Sequence, residues 1–550
     1  MNKAVVLFLS FLLSANAWAI VDMKNANFSN TWVDLEVPGT GYDLKVARTY
    51  NSRSLFSGMF GFGWCSDFET TIEVTAEGNL KLTECGAGQE VLYTPREFGK
   101  KEVEKTVSQV IDRLKSQKKF DEKYLKNIRE QLLSDSDMRA KYAVDFKIAV
   151  PVKEGTQFFA NGREVENMVF SKGAYTRNMA DGSSMKFSAQ GRMTYMYDKN
   201  SNYLKFEYDK DSLKEIADNN GRKLNFKYYT NKKVKTIAGP SGLSVEYKYA
   251  ANLDDLASVK NAWGNNYSFE YDDLHNMVKS VWPDKTAINL SYDKKNDWVT
   301  SYTDRDQCIE NYKYEFSENE PKTHYWSTVK KTCGKEVVNE SKHEFWYKER
   351  ADGQSYLQRV SSIVNGAVTD ITYHETFGKP TAIQRGTERY RYEYYPNGQV
   401  KIKISSIAKL TYDYDPKSQK VSKVTAQEIT AAGKVKATKK TEFKWDTKGN
   451  LSFAQNDDGQ KVNMTYDPKG RISTITDHAR KVVKIEYEER FGKPALVSRP
   501  GLGTIKVTYK SNGDLDKATS PEGPSVAMQV ASTFNNLLEI IAPATAEVFN

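Results

Sequence analysis

The sequence predicts a mainly β protein of antiparallel hairpins repeating about every 21 residues, wound into a curved or shell-like sheet, with one inserted helical hairpin. Three observations lead there. Strand-ending aromatics recur at a nearly constant spacing, turn-forming clusters lie half a repeat apart, and short segments of alternating polarity run between them. Tyrosine is abundant, 33 residues in a chain of 550, against five histidines. Flat aromatic side chains suit a pleated, half-buried surface.

The anchor aromatics are Phe187, Tyr208, Tyr228, Tyr249, Tyr271, Tyr292, Tyr314, Tyr347, Tyr373, Tyr394, Tyr414, Trp445, Tyr466, Tyr487 and Tyr509. Eleven of the fourteen intervals between them fall within one residue of 21. Each unit has a turn after its anchor, as in Asp467-Pro468-Lys469-Gly470, where aspartate caps, proline presets φ and glycine fits the fourth position. A second cluster follows half a unit later, as in Asp218-Asn219-Asn220-Gly221 or Gly239-Pro240-Ser241-Gly242. Segments such as "RISTITD" and "KVVKIEYE" alternate with a period of two between them. One unit is therefore two strands and two turns, and the aspartates serve mainly as turn caps.

Residues 1–19, "MNKAVVLFLSFLLSANAWA", read as a cleavable export signal: Lys3 supplies the charge, an apolar run of about a dozen residues follows, and Ala17-Trp18-Ala19 forms the cleavage site. That run is shorter than the ~20 residues a membrane-spanning helix needs, and no later segment is apolar enough to span. The expected address is exported: periplasmic, cell-surface or secreted. Export favours disulfides, and of the three possible connectivities Cys65–Cys85 and Cys308–Cys333 each clamp one strand–turn–strand segment. A net charge of +9 permits weak attraction to anionic polymers without marking a nucleic-acid binder.

Residues 20–98 and 144–179 form an N-terminal β module, interrupted at 99–143 by the helical hairpin. Val103, Val107, Val110, Ile111 and Leu114 follow helical spacing, as do Tyr124, Leu125, Ile128 and Leu132, with Asp121 an N-cap between them. The repeat array occupies 180–524. The tail, 525–550, reads as an amphipathic helix with Val530, Phe534, Leu537, Leu538 and Ile541 on one side, capping the last strands.

The pattern over residues 180–520 resembles the YD-repeat family of Rhs and teneurin-type proteins, most closely in "DGSSMKFSAQGRMTYMYDKNSNYLKFEYD". "RTYNSRSLFSGMFGFGWCSDFETTIE" similarly resembles the module that precedes Rhs repeats. The resemblance implies strands wound into a hollow shell, which in toxin-bearing members encloses a C-terminal effector. Here the terminal D-P-x-G-L cleavage motif and a toxin domain are lacking, and fifteen two-strand units about 4.8 Å apart per strand give a sheet path of only about 140 Å, so a partial or small shell is expected.

No G-x-S-x-G elbow, H-E-x-x-H helix or Walker loop occurs, and the histidines at 275, 324, 343, 374 and 478 are isolated. Asp304-Arg305-Asp306 is half of a calcium loop without its glycine and distal glutamate. Catalytic residues, metals and cofactors are expected to be none. Trp263, Trp282, Trp298, Trp326 and Trp346 form the candidate ligand-binding set, because exposed aromatic rows on a sheet can stack on sugar rings. The expected function is a non-enzymatic scaffold or binding module at the bacterial envelope or surface, partnered by an envelope or secreted protein or a surface glycan, and by no nucleic acid. The alternatives are a carbohydrate-binding adhesin-like protein, a shell for a separately encoded toxin, and a hydrolase of envelope polysaccharide.

Overall fold

The computed structural model describes residues 20–521 apart from 85–88, 164, 252–253, 351–354, 431 and 511–512, together with 523 and 528. The expected export signal, Cys85 and nearly all of the segment expected to form the tail helix lie outside the described residues. Thirty-three strands, from Gln157–Phe158 to Leu515–Thr519, form one sheet in which each strand pairs with its neighbours in sequence order. Its ends do not pair with each other, so the sheet is not a closed barrel.

The repeat has a consistent local geometry. Every anchor aromatic except Tyr314 sits directly after a register shift in its strand pair. A bulge adds twist and bends the strand that carries it, so one per unit curls the whole sheet. The turn aspartates cap as the sequence implied: Asp467 Oδ1 accepts from the backbone N–H of Lys469 (3.0 Å) and Arg471 (2.9 Å).

The curl continues past one full circuit. The turn at 198–202 meets turns about 250 residues later: Asn450 Nδ2 donates to Asn200 Oδ1 (3.0 Å), Lys199 Nζ to the Gly449 carbonyl (3.2 Å) and Asn202 Nδ2 to the Lys469 carbonyl (3.1 Å). Gly470, at φ +82°, lies against Asn200 so closely that a Cβ there would sit 2.0 Å from its side-chain nitrogen. The wall is therefore a spiral, its second winding docked edge to edge on the first. The sequence-based expectation of a partial or small shell did not include this second winding, because periodicity gives the number of bends and not their angle.

The N-terminal strands Ile20–Asp22, Asn27–Val37, Leu44–Asn51 and Trp64–Cys65 form one sheet, and Thr71–Val74, Leu80–Glu84 and Gln89–Tyr93 another. They fill the concave side of the first winding. Trp64 packs on Phe269 (5.0 Å), Phe60 on Tyr247 (5.3 Å) and Phe28 on Tyr302 (6.0 Å), so module and repeats share one buried core. A second, separate core lies under residues 410–475.

The inserted segment holds three helices where the sequence suggested two: α1 (Lys100–Ser116), α2 (Glu122–Ser134) and α3 (Ser136–Asp145). Asp121 caps α2, accepting from Tyr124 N at 2.7 Å, and Asp135 caps α3 through Met138 N at 2.8 Å. The third helix escaped notice because it buries only Arg139 and Ala143, too little to make an apolar stripe. Arg139 ties the insertion to the β module through Glu77 (2.7 Å).

Candidate binding surface

The tryptophans singled out in the sequence do not form one surface. Trp263 stands in a turn and is 51% exposed. Trp282 packs against the shared core, 6.1 Å from Trp32, with the Arg305 guanidinium 5.0 Å above its ring. Trp298 packs on Tyr314 (5.3 Å) and Phe316 (5.9 Å).

Only Trp326 and Trp346 come together. Strands His324–Cys333 and Glu336–Glu349 pair with His324 opposite Trp346 and Trp326 opposite Glu344. Since alternate side chains share a face, His324 and both indoles lie on the wall side opposite Tyr325 and Phe345. The His324 ring stacks on Trp346 (4.9 Å) and tilts against Trp326 (5.7 Å). Lys342 Nζ sits 4.7 Å over Trp326, and the Arg359 guanidinium 4.6 Å over Trp346. Trp326 Nε1 donates to Glu315 (2.9 Å), Arg359 pairs with Asp370 (2.6 Å), and His324 Nε2 contacts Glu344 (2.7 Å). Burial favours the neutral Glu344 acid, yet hydrogen bonds from His324 and Lys342 hold its pKa below the ordinary value.

This patch is half-buried and polar at its edges, able to stack on a flat ligand and hydrogen-bond its rim. One face of each indole is already covered by a cation, which narrows the stacking area. The charged members were missed because sequence inspection followed tryptophan alone; the period-two pattern His324-x-Trp326 and Lys342-x-Glu344-x-Trp346 carried the signal.

Other expected features fall to structure. Cys308 and Cys333 form a disulfide, their Cα atoms 4.3 Å apart. Cys65 is also disulfide-bonded, while its expected partner Cys85 is outside the described residues. Asp304 caps its own turn, accepting from Asp306 N and Cys308 N and pairing with Lys331 (2.7 Å). Among the described residues no group of three or more His, Cys, Asp or Glu is placed to hold a metal ion, and no helix is long and apolar enough to cross a membrane.

A buried polar constellation joins the β module to the wall. Asp34 and Arg48 form a fully buried pair (2.7 Å), Tyr247 donates to Asp34 (3.0 Å), and the Arg48 guanidinium lies 4.3 Å from the Trp64 ring. Nearby, Glu69 accepts from Met59 N (2.6 Å) and Ser66 N (3.1 Å), and burial pushes its carboxyl up to about 7. Asp34 and Arg48 are enclosed by aromatic packing, so the pair fastens two parts of the fold.

Comparison with known proteins gives two family matches. Residues 20–93 match a domain of unknown function, DUF6531, and residues 175–343 match the teneurin YD-shell. A curated relative, the tRNA3(Ser)-specific nuclease WapA of Bacillus spizizenii, is 33% identical over 81 residues, 14% of this chain and 4% of the relative. A TcdB2-TccC3-TEV crystal structure aligns over 96% of this chain and 29% of its own at 12% identity, with a TM-score of 0.42. The Photorhabdus luminescens Tc holotoxin pore aligns over 91% and 26% at 10% identity, with a TM-score of 0.41. The chain thus spans less than a third of the length of each of these relatives.

Proposed function

We propose that this chain, a YD-repeat protein carrying a teneurin-type shell segment, is exported and acts without catalysis as a scaffold or binding module at the bacterial envelope or surface. The single observation that supports this most is the filling of the first winding by the N-terminal module. Side chains that would otherwise line a cavity, Phe269, Tyr247 and Tyr302 among them, are core. That leaves the wall's outer face and its turns to meet partners, which are envelope or secreted proteins or a surface glycan.

A fractionation experiment tests the reading. The mature protein, expected to begin at Ile20, is recovered from periplasm, surface or medium and captures an envelope component from its native extract. Recovery from the cytoplasm with an intact N-terminus overturns the address. Release of reducing ends from cell-wall material by the purified protein overturns the non-enzymatic role.

A second reading is favoured by the pairing of Trp326 and Trp346 across His324: carbohydrate binding at that patch. Alanine at both tryptophans is expected to abolish retention on the glycans bound by the wild type. Retention unchanged removes this reading and leaves the scaffold reading standing.

A further inference from the structure

The chain's positive charge is unevenly placed. Residues 401–520 hold 24 lysines and arginines against 14 aspartates and glutamates, an excess as large as that of the whole chain at +9. This stretch is most of the second winding.

On the outer face of the first winding, some lysines are neutralised locally, and others without an ion pair, Lys227 and Lys248 among them, share that face with Glu207, Glu215, Glu246 and Glu270. Lys205 pairs with Glu207 (2.6 Å), Lys223 with Glu215 (2.8 Å) and Lys279 with Glu270 (3.1 Å). The second winding differs. Lys440, Lys461, Lys484, Lys506 and Lys517 are exposed on one face of consecutive hairpins. Their strand partners there are uncharged: Thr425 for Lys440, Gln455 for Lys461, Thr474 and Ser498 for Lys484, Leu496 and Thr519 for Lys506, Thr508 for Lys517. Lys440 also adjoins Asp457, whose carboxylate accepts from the Lys440 backbone N–H (2.8 Å). None of these ammoniums has a carboxylate of the described residues within 4 Å. The acids at this face are Glu442, Glu486, Asp457 beside Lys440, and Asp516 beside Thr508, and with Lys423 and Lys444 added the lysines still outnumber them.

We infer that the outer wall of the second winding binds an acidic polysaccharide. A field of unpaired cations raises the local concentration of a polyanion, and the interleaved hydroxyl and amide side chains offer hydrogen bonds to sugar hydroxyls. The class is narrowed by an absence on this face. Single-stranded nucleic acid is held by bases stacked on exposed aromatics, yet no Phe, Tyr or Trp among the described residues of 408–519 is exposed. The inference extends the scaffold reading but does not depend on the Trp326–Trp346 patch, which lies on earlier strands.

The test uses the whole mature protein with polygalacturonate as probe, neutral dextran as control, and single-stranded DNA and anionic phospholipid vesicles as competitors. Polygalacturonate is expected to bind at low salt, weakening steadily as salt rises. The variant K440E/K461E/K484E/K506E is expected to lose at least about tenfold in affinity, and the neutral K440Q/K461Q/K484Q/K506Q to lose less. Both should keep the wild-type circular dichroism and melting temperature, since all four positions are exposed. Charge reversal on the first winding, K227E/K248E/K260E, is expected to leave affinity within about twofold. No binding to polygalacturonate, equal loss in the first-winding variant, or tighter binding of DNA or vesicles overturns the inference.

Discussion

The Tyr466 hydroxyl donates to the backbone carbonyl of Leu451, 15 residues earlier, at 2.8 Å. The same bond recurs at Tyr208 to Met193, Tyr228 to Leu213, Tyr271 to Leu256, Tyr292 to Met277, Tyr314 to Val299, Tyr487 to Ile472 and Tyr509 to Pro494. Each of these eight tyrosines thus ties its hairpin to the strand start of the preceding unit, whereas Tyr249 donates instead to the Met59 carbonyl of the N-terminal module (3.2 Å). At position 445 an indole substitutes, its Nε1 reaching back to the Val421 carbonyl at 2.8 Å. Tyrosine suits the position because its ring packs in the hairpin while its hydroxyl finds a backbone carbonyl to bond.

Replacing one such hydroxyl tests its weight. Tyr292→Phe keeps the ring and strands the Met277 carbonyl. The expected loss is about 1–2 kcal/mol in urea unfolding. Tyr509→Phe, at an exposed last unit, should cost less.

The Asp34–Arg48 pair predicts a steeper penalty. Arg48→Met leaves Asp34 charged and buried, held only by Tyr247, and is expected to destabilise by about 3–5 kcal/mol. Asp34→Leu combined with Arg48→Met should recover much of that loss, because no uncompensated charge remains. Guanidinium unfolding of the two variants checks both statements.

Glu69 predicts a pH dependence. Burial raises its carboxyl in the folded protein from the ordinary 4.5 to about 7, with hydrogen bonds from Met59 and Ser66 only partly offsetting it. The folded state therefore binds this proton more tightly than the unfolded state. Its contribution is fully present below 4.5, is lost as pH rises toward 7, and is level above that. At about 1.4 kcal/mol per pKa unit the swing is of order 3 kcal/mol. Glu69→Gln should flatten that part of the stability–pH curve, read by denaturant titration from pH 4 to 8.

The Cys308–Cys333 disulfide closes a hairpin with a sequence separation of 25. Serine at both positions is expected to cost about 3 kcal/mol. Proteolysis should then open the segment between them before the rest of the sheet, with fragments identified by mass spectrometry.

Much of the wall was legible in the sequence because its information is local. An aromatic every 21 residues, an aspartate to cap the next turn and a glycine at positive φ such as Gly470 specify each hairpin from within one unit. The helices α1 and α2 were equally legible from their stripes. The binding surface was not. Trp282 and Trp298 read the same as Trp326 and Trp346 on paper, yet Trp282 is packed against Trp32 from some 250 residues away in the chain. Burial by a distant segment leaves no periodic trace.

By itself the sequence determined the hairpin, its period and its turn chemistry, since all of these act within one unit or across neighbouring strands. Tertiary structure alone decided that the β module fills the first winding and that the second docks on it, as Asn450 does on Asn200. It also decided which lysines are left without acids. The physical reason is accumulation: a small bend repeated at each bulge sums to a full circuit, and where that circuit closes depends on every bend together.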